Sequence, residues 1–289
     1  MLRRLLGSLL HKPAAALPAA VTDPALLAQY NFALQFFTET RVREKRRLRP
    51  DDAARLQRIR ASARYREPFE LAEPLVTVIV PTFSRADVVL ERTLPSVFRQ
   101  SYENWEILVV GDRMPDELAL RLDAFRHPRV RFINLKRRGL YPEQKGPLWY
   151  VAGTKPMNYG LRIARGHWIA HLDDDDEFLP EHLEQLLRAA RTRNVEWAHG
   201  KVRFVSDDPE RPSTREVGSA SPRMGTISRI SSIYHAGLKT FRYNGQCWRY
   251  FYPGDWDLWE RFLDMGVTRT YLDRVTAIHH GNPGRTFND

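Results

Sequence analysis

Residues 167–178, "HWIAHLDDDDEF", carry an apolar stretch straight into five consecutive acids, Asp173 to Glu177. The apolar half has the length and character of a buried strand. Adjacent carboxylates repel one another, and a strand end holds such charge poorly without compensation. A basic side chain, a helix N-terminus or a metal ion must therefore face the run. If the run stays extended, alternate side chains share a face, so Asp173 and Asp175 point one way and Asp174 and Asp176 the other. Two carboxylates at the mouth of a sheet suit Mg²⁺ or Mn²⁺, which takes one or two protein carboxylates and completes its shell with water and substrate phosphates. A plain acidic helix start before "HLEQLLRAA" (182–190) accounts for one or two of the acids, not five.

Outward from this stretch, short apolar runs alternate with helical periodicity. "LVTVIVP" (75–81), "WEILVV" (105–110) and "RVRFINL" (129–135) read as strands. "VVLERTLPSVFRQ" (88–100), "PDELALRLDAF" (115–125) and "MNYGLRIA" (157–164) read as helices, with a break or a late restart expected at Pro95. Such alternation predicts an α/β fold, a mostly parallel sheet flanked by helices. Sheets of this kind bind ligands beyond the carboxyl ends of their strands. "PTFSR" (81–85), "GDR" (111–113) and the acidic run all fall at such ends, so they should converge on one edge.

Composition narrows the class. Of 289 residues, 43% are hydrophobic and 28% charged, as in a soluble globular protein, and no apolar run is long enough to span a membrane. The single cysteine, Cys247, excludes an intrachain disulfide and points to a reducing, cytoplasmic setting. No Walker A segment, strand-linked G-x-G-x-x-G, H-E-x-x-H or cysteine pair occurs, which argues against P-loop, dinucleotide and zinc chemistry. The net charge of +10 is concentrated early: residues 1–70 hold 14 Lys/Arg against 7 Asp/Glu. This segment reads as a basic helical extension, with one helix after Asp23-Pro24 and another from Asp51 or Asp52 that turns Leu56 and Ile59 inward. The opening "MLRRLLGSLLHKPAAALPAA" is interrupted too early for a secretory leader. The arm "RVREKRRLR" (41–49) is either a solvated helix face or a peripheral contact with an anionic membrane surface at the inner face of the plasma membrane. No nucleic-acid-binding motif accompanies it, so nucleic acid is not an expected partner.

"VTVIVPTFSRADVVLERTLPSVFRQSYENWEILVVGD" (76–112) and "MNYGLRIARGHWIAHLDDDDEFLP" (157–180) together resemble the glycosyltransferase family 2 domain, of GT-A fold. Agreement is close over 75–182 and weaker beyond. The resemblance implies an inverting transferase that uses a nucleotide diphosphate-sugar, with UDP the default, a divalent metal, and a glycan or glycolipid acceptor. Pro81, Thr82, Phe83 and Arg85 match the loop around the base and ribose, and Asp112 the acid that hydrogen-bonds the base. Asn158 and Gly160 match the N-x-G segment; Met157 stands where an arginine is frequent, and Lys155 is offered as the substitute charge. Asp173 and Asp175 match the D-x-D pair for metal and sugar nucleotide, with Asp174 and Asp176 beside them.

By the same resemblance, "YPGDWDLWERFLDMG" (252–266) corresponds to the segment that supplies the catalytic base, which makes Asp255 the base and Asp257 the runner-up. A helix N-cap is the competing role for Asp255. In "AIHHGN" (277–282), taken to follow a last strand, His279 or His280 is offered as a further metal ligand. Residues 136–156 form a long loop whose charges and aromatics suit either a lid or a stabilising packed excursion. Trp248, Tyr250, Trp256 and Trp259 suit either an acceptor sugar or, for at least half of them, core packing. The expected organisation is a basic helical extension (1–70), a nucleotide-sugar half (74–205) and an acceptor half (206–289). A sugar nucleotidyltransferase is one alternative, disfavoured because "PTFSRADVV" lacks the glycines of a phosphate loop. A non-catalytic polyanion-binding protein is the other, and it leaves the acidic run unexplained.

Overall fold

The computed structural model describes residues 51–206 and 213–281, together with 28, 35 and 38–44. Of the helix expected after Asp23, Ala28, Gln35 and residues 38–44 are described and helical, while residues 45–49 of the basic arm lie outside the described residues.

Chain order runs α1 (Asp52–Arg60), α2 (Glu67–Glu70), β1 (Val76–Thr82), the helical stretch α3 made of Ala86–Val88, Val89–Thr93 and Leu94–Phe98, β2 (Trp105–Gly111), α4 (Asp116–Ala124) and β3 (Val130–Asn134). It continues through α5 (Lys145–Val151), α6 (Thr154–Ile163), β4 (Trp168–His171), β5 (Glu177–Phe178), α7 (His182–Thr192), β6 (Trp197–Ser206), β7 (Ser213–Val217), β8 (Ser232–His235), α8 (Gly254–Asp264) and β9 (Arg269–Gly281). Among the described residues these strands form one nine-stranded sheet, ordered β3-β2-β1-β4-β8-β6-β9-β5 with β7 on β6.

The first four neighbours are parallel, as the alternation of strands and helices requires. Beyond β4 the sheet changes character: β8 runs antiparallel to both β4 and β6, while β9 runs parallel to β6. Both central strands β1 and β2 are buried along their whole length, which explains their unbroken apolar character. One core lies beneath α3, α4 and α7 and the other beneath α6 and α8. Helix α6 lies so close to β1 that a Cβ on Gly160 would sit 2.5 Å from Ile79 Cγ2.

Three expectations are corrected here. Pro95 does not break its helix, because the turn before it, Val89–Thr93, is wound as a π-helix; that widening accommodates the proline ring against the preceding carbonyls. Residues 136–156 are not structureless, since α5 lies within them. His279 and His280 do not follow the last strand but stand on it, paired with Phe204 and Val205 of β6.

The start of α1 was legible: Asp51 caps it, accepting from the Ala54 N–H at 3.2 Å, and Leu56 is fully buried. Buried Glu196, at the head of β6, fastens this extension to the sheet. Its carboxylate accepts from Arg60 Nε at 2.9 Å and Nη2 at 2.6 Å, from Tyr65 Oη at 2.9 Å and from the Thr268 N–H at 2.9 Å.

Candidate active site

The acidic run is not extended. The Asp176 N–H donates to the Asp173 carbonyl at 3.2 Å, which closes a turn, so the alternating-face expectation fails. A turn bends the chain after β4 and splits the four aspartates three ways. Asp173 Oδ1 accepts from Arg229 Nε at 2.6 Å. Asp174 and Asp175 share one arginine, with Arg85 Nη1 at 2.9 Å and 3.0 Å from their oxygens. Asp176 lies beneath the turn, fully buried, and accepts from His279 Nδ1 at 2.9 Å and from the His280 N–H at 3.0 Å. Burial pushes the Asp176 carboxyl up, to about 6, while Asp176 holds the His279 imidazole above its ordinary value against the cost of burying it. The compensating charge within the chain is therefore basic side chains.

Arg229 is the residue that sequence reasoning missed. It lies just before β8, where burial works against its charge, yet Asp173 beside it, with help from Asp255, keeps the guanidinium firmly protonated. Burial raises the carboxyl of Asp255, in the first turn of α8, above the ordinary range, while the charge of Arg229 pulls it back. Asp173, at the end of β4, is thus ion-paired with Arg229, and Asp255, 82 residues later, lies within electrostatic reach of the same cation without an ion pair to it. Asp255 does not cap its helix, since Pro253 holds that position and the carboxylate accepts instead from the Trp256 N–H at 2.8 Å. The runner-up, Asp257, points inward: it is fully buried, accepts from Tyr250 Oη and lies 3.4 Å from Arg261 Nη1.

The expected donor-side residues converge on the same edge, but several are engaged by the chain itself. Pro81 and Thr82 end β1, and Asp112 follows β2, its N–H donating to the Thr82 carbonyl at 2.8 Å. Asp112 accepts from the Gly139 N–H at 3.0 Å and from Tyr141 Oη at 2.5 Å. Burial, together with Asp112, pushes the Tyr141 phenol well up, so it remains a donor. The Arg138 guanidinium lies 4.0 Å from the centre of the Phe83 ring. Lys155 donates to the carbonyls of Arg137 and Arg138 and so ties down the same loop. Asn158 spends both ends of its amide on Tyr243, donating to its carbonyl at 2.8 Å and accepting from its N–H at 2.9 Å. Residues 137–141 therefore lie over the expected base pocket, and Asn158 braces the segment next to Asp255. Of the four aromatics considered for an acceptor, Tyr250, Trp256 and Trp259 are buried in the core.

The sequence profile of Glycosyl transferase family 2 matches residues 77–142 and 154–251, more than half of the chain. The chain belongs to glycosyl transferase family 2. Its mixed α/β sheet is that of GT-A transferases. The match ends before Asp255, so family membership itself assigns nothing to α8 or β9. A UDP-Glc:alpha-D-GlcNAc-diphosphoundecaprenol beta-1,3-glucosyltransferase, WfgD of Escherichia coli, is 27% identical over 134 residues, covering 46% of this chain and 48% of that protein. The chain thus spans about half the length of this curated relative. Two solved structures show the fold. S. aureus TarS 1–349 in complex with UDP has a TM-score of 0.51 at 15% identity and covers 72% of this chain and 61% of that one. Mannosyltransferase PcManGT from Pyrobaculum calidifontis, in complex with GDP-Man and Mn²⁺, has 0.52 at 16%, covering 81% and 65%.

Among the described residues no helix is long and apolar enough to cross a membrane. Nor do three His, Cys, Asp or Glu side chains of the described residues converge tightly enough to enclose an ion. The donor set still fits a hard cation of the Mg²⁺ or Mn²⁺ kind. Such an ion needs only one or two carboxylates beside substrate phosphate, and Asp173 and Asp175 each present a partly exposed carboxylate with one oxygen on an arginine. Asp176 and His279, hydrogen-bonded to each other, lie within electrostatic reach of both carboxylates.

Proposed function

We propose that the enzyme moves a sugar from a nucleoside diphosphate-sugar to a hydroxyl of a glycan or glycolipid acceptor, with inversion at the anomeric carbon. The observation that carries this reading is that Arg229, ion-paired with Asp173, also acts electrostatically on Asp255. It supports a donor-side carboxylate and a prospective base sharing one electrostatic neighbourhood. The acceptor oxygen attacks the anomeric carbon as the bond to the diphosphate oxygen breaks. The diphosphate leaves with the electron pair, and the acceptor proton passes to Asp255. A carboxylate whose pKa is raised by burial is a stronger base for that transfer than an exposed one. Asp173 and Asp175 would hold the divalent cation, which supplies neutralisation of charge on the leaving diphosphate when bound. Arg85 and Arg229 keep those carboxylates oriented. Complexes of structural neighbours with UDP and with GDP-Man and Mn²⁺ agree with such a donor, and uracil remains the default base.

Calorimetric titration of UDP, GDP and dTDP, with and without Mn²⁺, into wild type and Asp175→Ala tests the reading. One nucleotide should bind in a metal-dependent way, and the variant should lose that binding. No metal-dependent binding of any of the three would overturn it.

The loop over Asp112 yields a second expectation. A base that hydrogen-bonds Asp112 must displace Tyr141, so Tyr141→Phe should tighten nucleotide binding by about tenfold, the worth of one bond to a charged group. An unchanged or weaker affinity in the same titration would show that Tyr141 is part of the bound site instead.

A further inference from the structure

On the face of α6 and α8 away from the acidic turn lies a cleft of about 630 Å³. Its charged lining is all cationic: Arg55 from α1, Arg162 from α6, Lys239 and Arg242 from the segment after β8, and Arg261 from α8. Arg261 forms the floor, only 7% exposed, with Asp52 Oδ2 2.9 Å from its Nε and the Arg242 carbonyl 2.9 Å from its Nη1. Nearby Asp52 and Asp257 are thus both spent on Arg261. Among the described residues, Arg55, Arg162, Lys239 and Arg242 have no carboxylate partner. Lys239 donates to the Ala164 carbonyl, and burial lowers its pKa although the Glu106 charge partly opposes this. A concavity whose lining holds five cationic side chains and no carboxylate suits an anion better than a solvated face, on which acids would be interspersed.

Two elements, the segment around Tyr243 and helix α8, run between the cleft and the candidate active site. Arg242 and Asn244 flank Tyr243, the residue that Asn158 braces and whose ring lies 5.3 Å from that of His171 on β4. Arg261 stands six residues from Asp255 on α8, roughly 9 Å along the helix axis. We propose that this cleft binds a phosphate or diphosphate group, and that in turnover it holds the anionic group of a phosphate-bearing acceptor whose hydroxyl reaches Asp255. The assignment to an acceptor rests on the transferase reading, whereas the phosphate binding does not. A concavity lined by planar guanidinium forks suits a discrete phosphate better than a flat surface of headgroups.

The test uses the whole chain and the double variant Arg162→Ala/Arg242→Ala, both exposed positions at which the fold should survive. Inorganic pyrophosphate is titrated in EDTA, UDP and GDP are titrated with Mn²⁺, and co-sedimentation is measured with phosphatidylcholine vesicles with and without phosphatidylglycerol. The expected result is a pyrophosphate affinity about tenfold or more weaker in the double variant, with nucleotide binding unchanged. Pyrophosphate binding that is absent in wild type, or equal in both proteins, would overturn the proposal. If only the vesicle co-sedimentation falls, the cleft is a lipid-surface contact and the discrete phosphate site is wrong. If no nucleotide binds wild type but pyrophosphate binding is still lost on substitution, the cleft stands and the transferase reading falls.

Discussion

Asp255→Asn should bind its nucleotide as wild type does and transfer sugar slower by a factor on the order of 10² to 10⁴, the usual contribution of a positioned general base. The substitution keeps the shape and the oxygen that accepts from the Trp256 N–H, and it leaves Arg229 paired with Asp173. It removes only the negative charge that takes the acceptor proton. Release of nucleoside diphosphate from the donor sugar identified by titration measures turnover, and the titration itself reports the donor site. A loss confined to turnover supports the base, whereas equal loss of nucleotide affinity would make Asp255 a donor-side group. Full activity would exclude it, and Asp257 could not inherit the role because Tyr250 and Arg261 hold it inside the core. The wild-type rate should also fall toward acid pH. The base works only when ionised, and burial places its carboxyl above the ordinary range, so the acid limb lies higher than an exposed aspartate would give.

Arg229 explains why part of this site could be read from sequence and part could not. The strand ends that carry Pro81, Asp112 and Asp173 announce themselves through local pattern, because a buried parallel strand has to be a continuous apolar run and the chain must turn where that run stops. Asp255 was reached through the resemblance of α8. Arg229 has no such local signal. It is one basic residue in "GTISRISSIY" (225–234), and its importance comes from its ion pair with Asp173, 56 residues before it, and its charge acting on Asp255, 26 after it. The turn at 173–176 was misread for a related reason: strand alternation gives the right spacing only while the ladder continues, and here the chain leaves β4 at His171. Loop 137–141 is similar, since Tyr141 and Asp112 are each unremarkable in sequence and acquire meaning only when the loop folds back over β2. The cationic cleft is assembled from α1, α6, α8 and the segment after β8, and no window of the sequence contains it.

The extension before β1 is the clearest case of long-range structure that composition misjudges, and it yields the largest expected effect on stability. Residues 1–70 read as a basic appendage, yet Arg60 and Tyr65 close on Glu196, more than 130 residues away. Desolvation alone would raise the Glu196 carboxyl, but Arg60, Tyr65 and the Thr268 N–H hold it below the ordinary carboxylate value. Glu196→Gln keeps the volume and removes the charge, leaving the Arg60 guanidinium without its partner. Breaking one side of a buried pair typically costs about 3–5 kcal/mol. Arg60 is a quarter exposed and keeps some hydration, so about 3 kcal/mol is the expectation, a fall in thermal midpoint of roughly 6–12 °C for a chain of this size. The sign of the pH dependence comes from the depressed carboxyl. Its contribution is complete above the unfolded pKa of about 4.3 and is lost as pH falls through the lower folded value. Wild type should therefore keep its full advantage over Glu196→Gln at pH 6 and lose it progressively below about 4, as tracked by thermal melts across that range. A variant as stable as wild type at neutral pH would mean that the extension docks through Leu56 and its apolar neighbours alone, with the Arg60–Glu196 pair contributing no net stability.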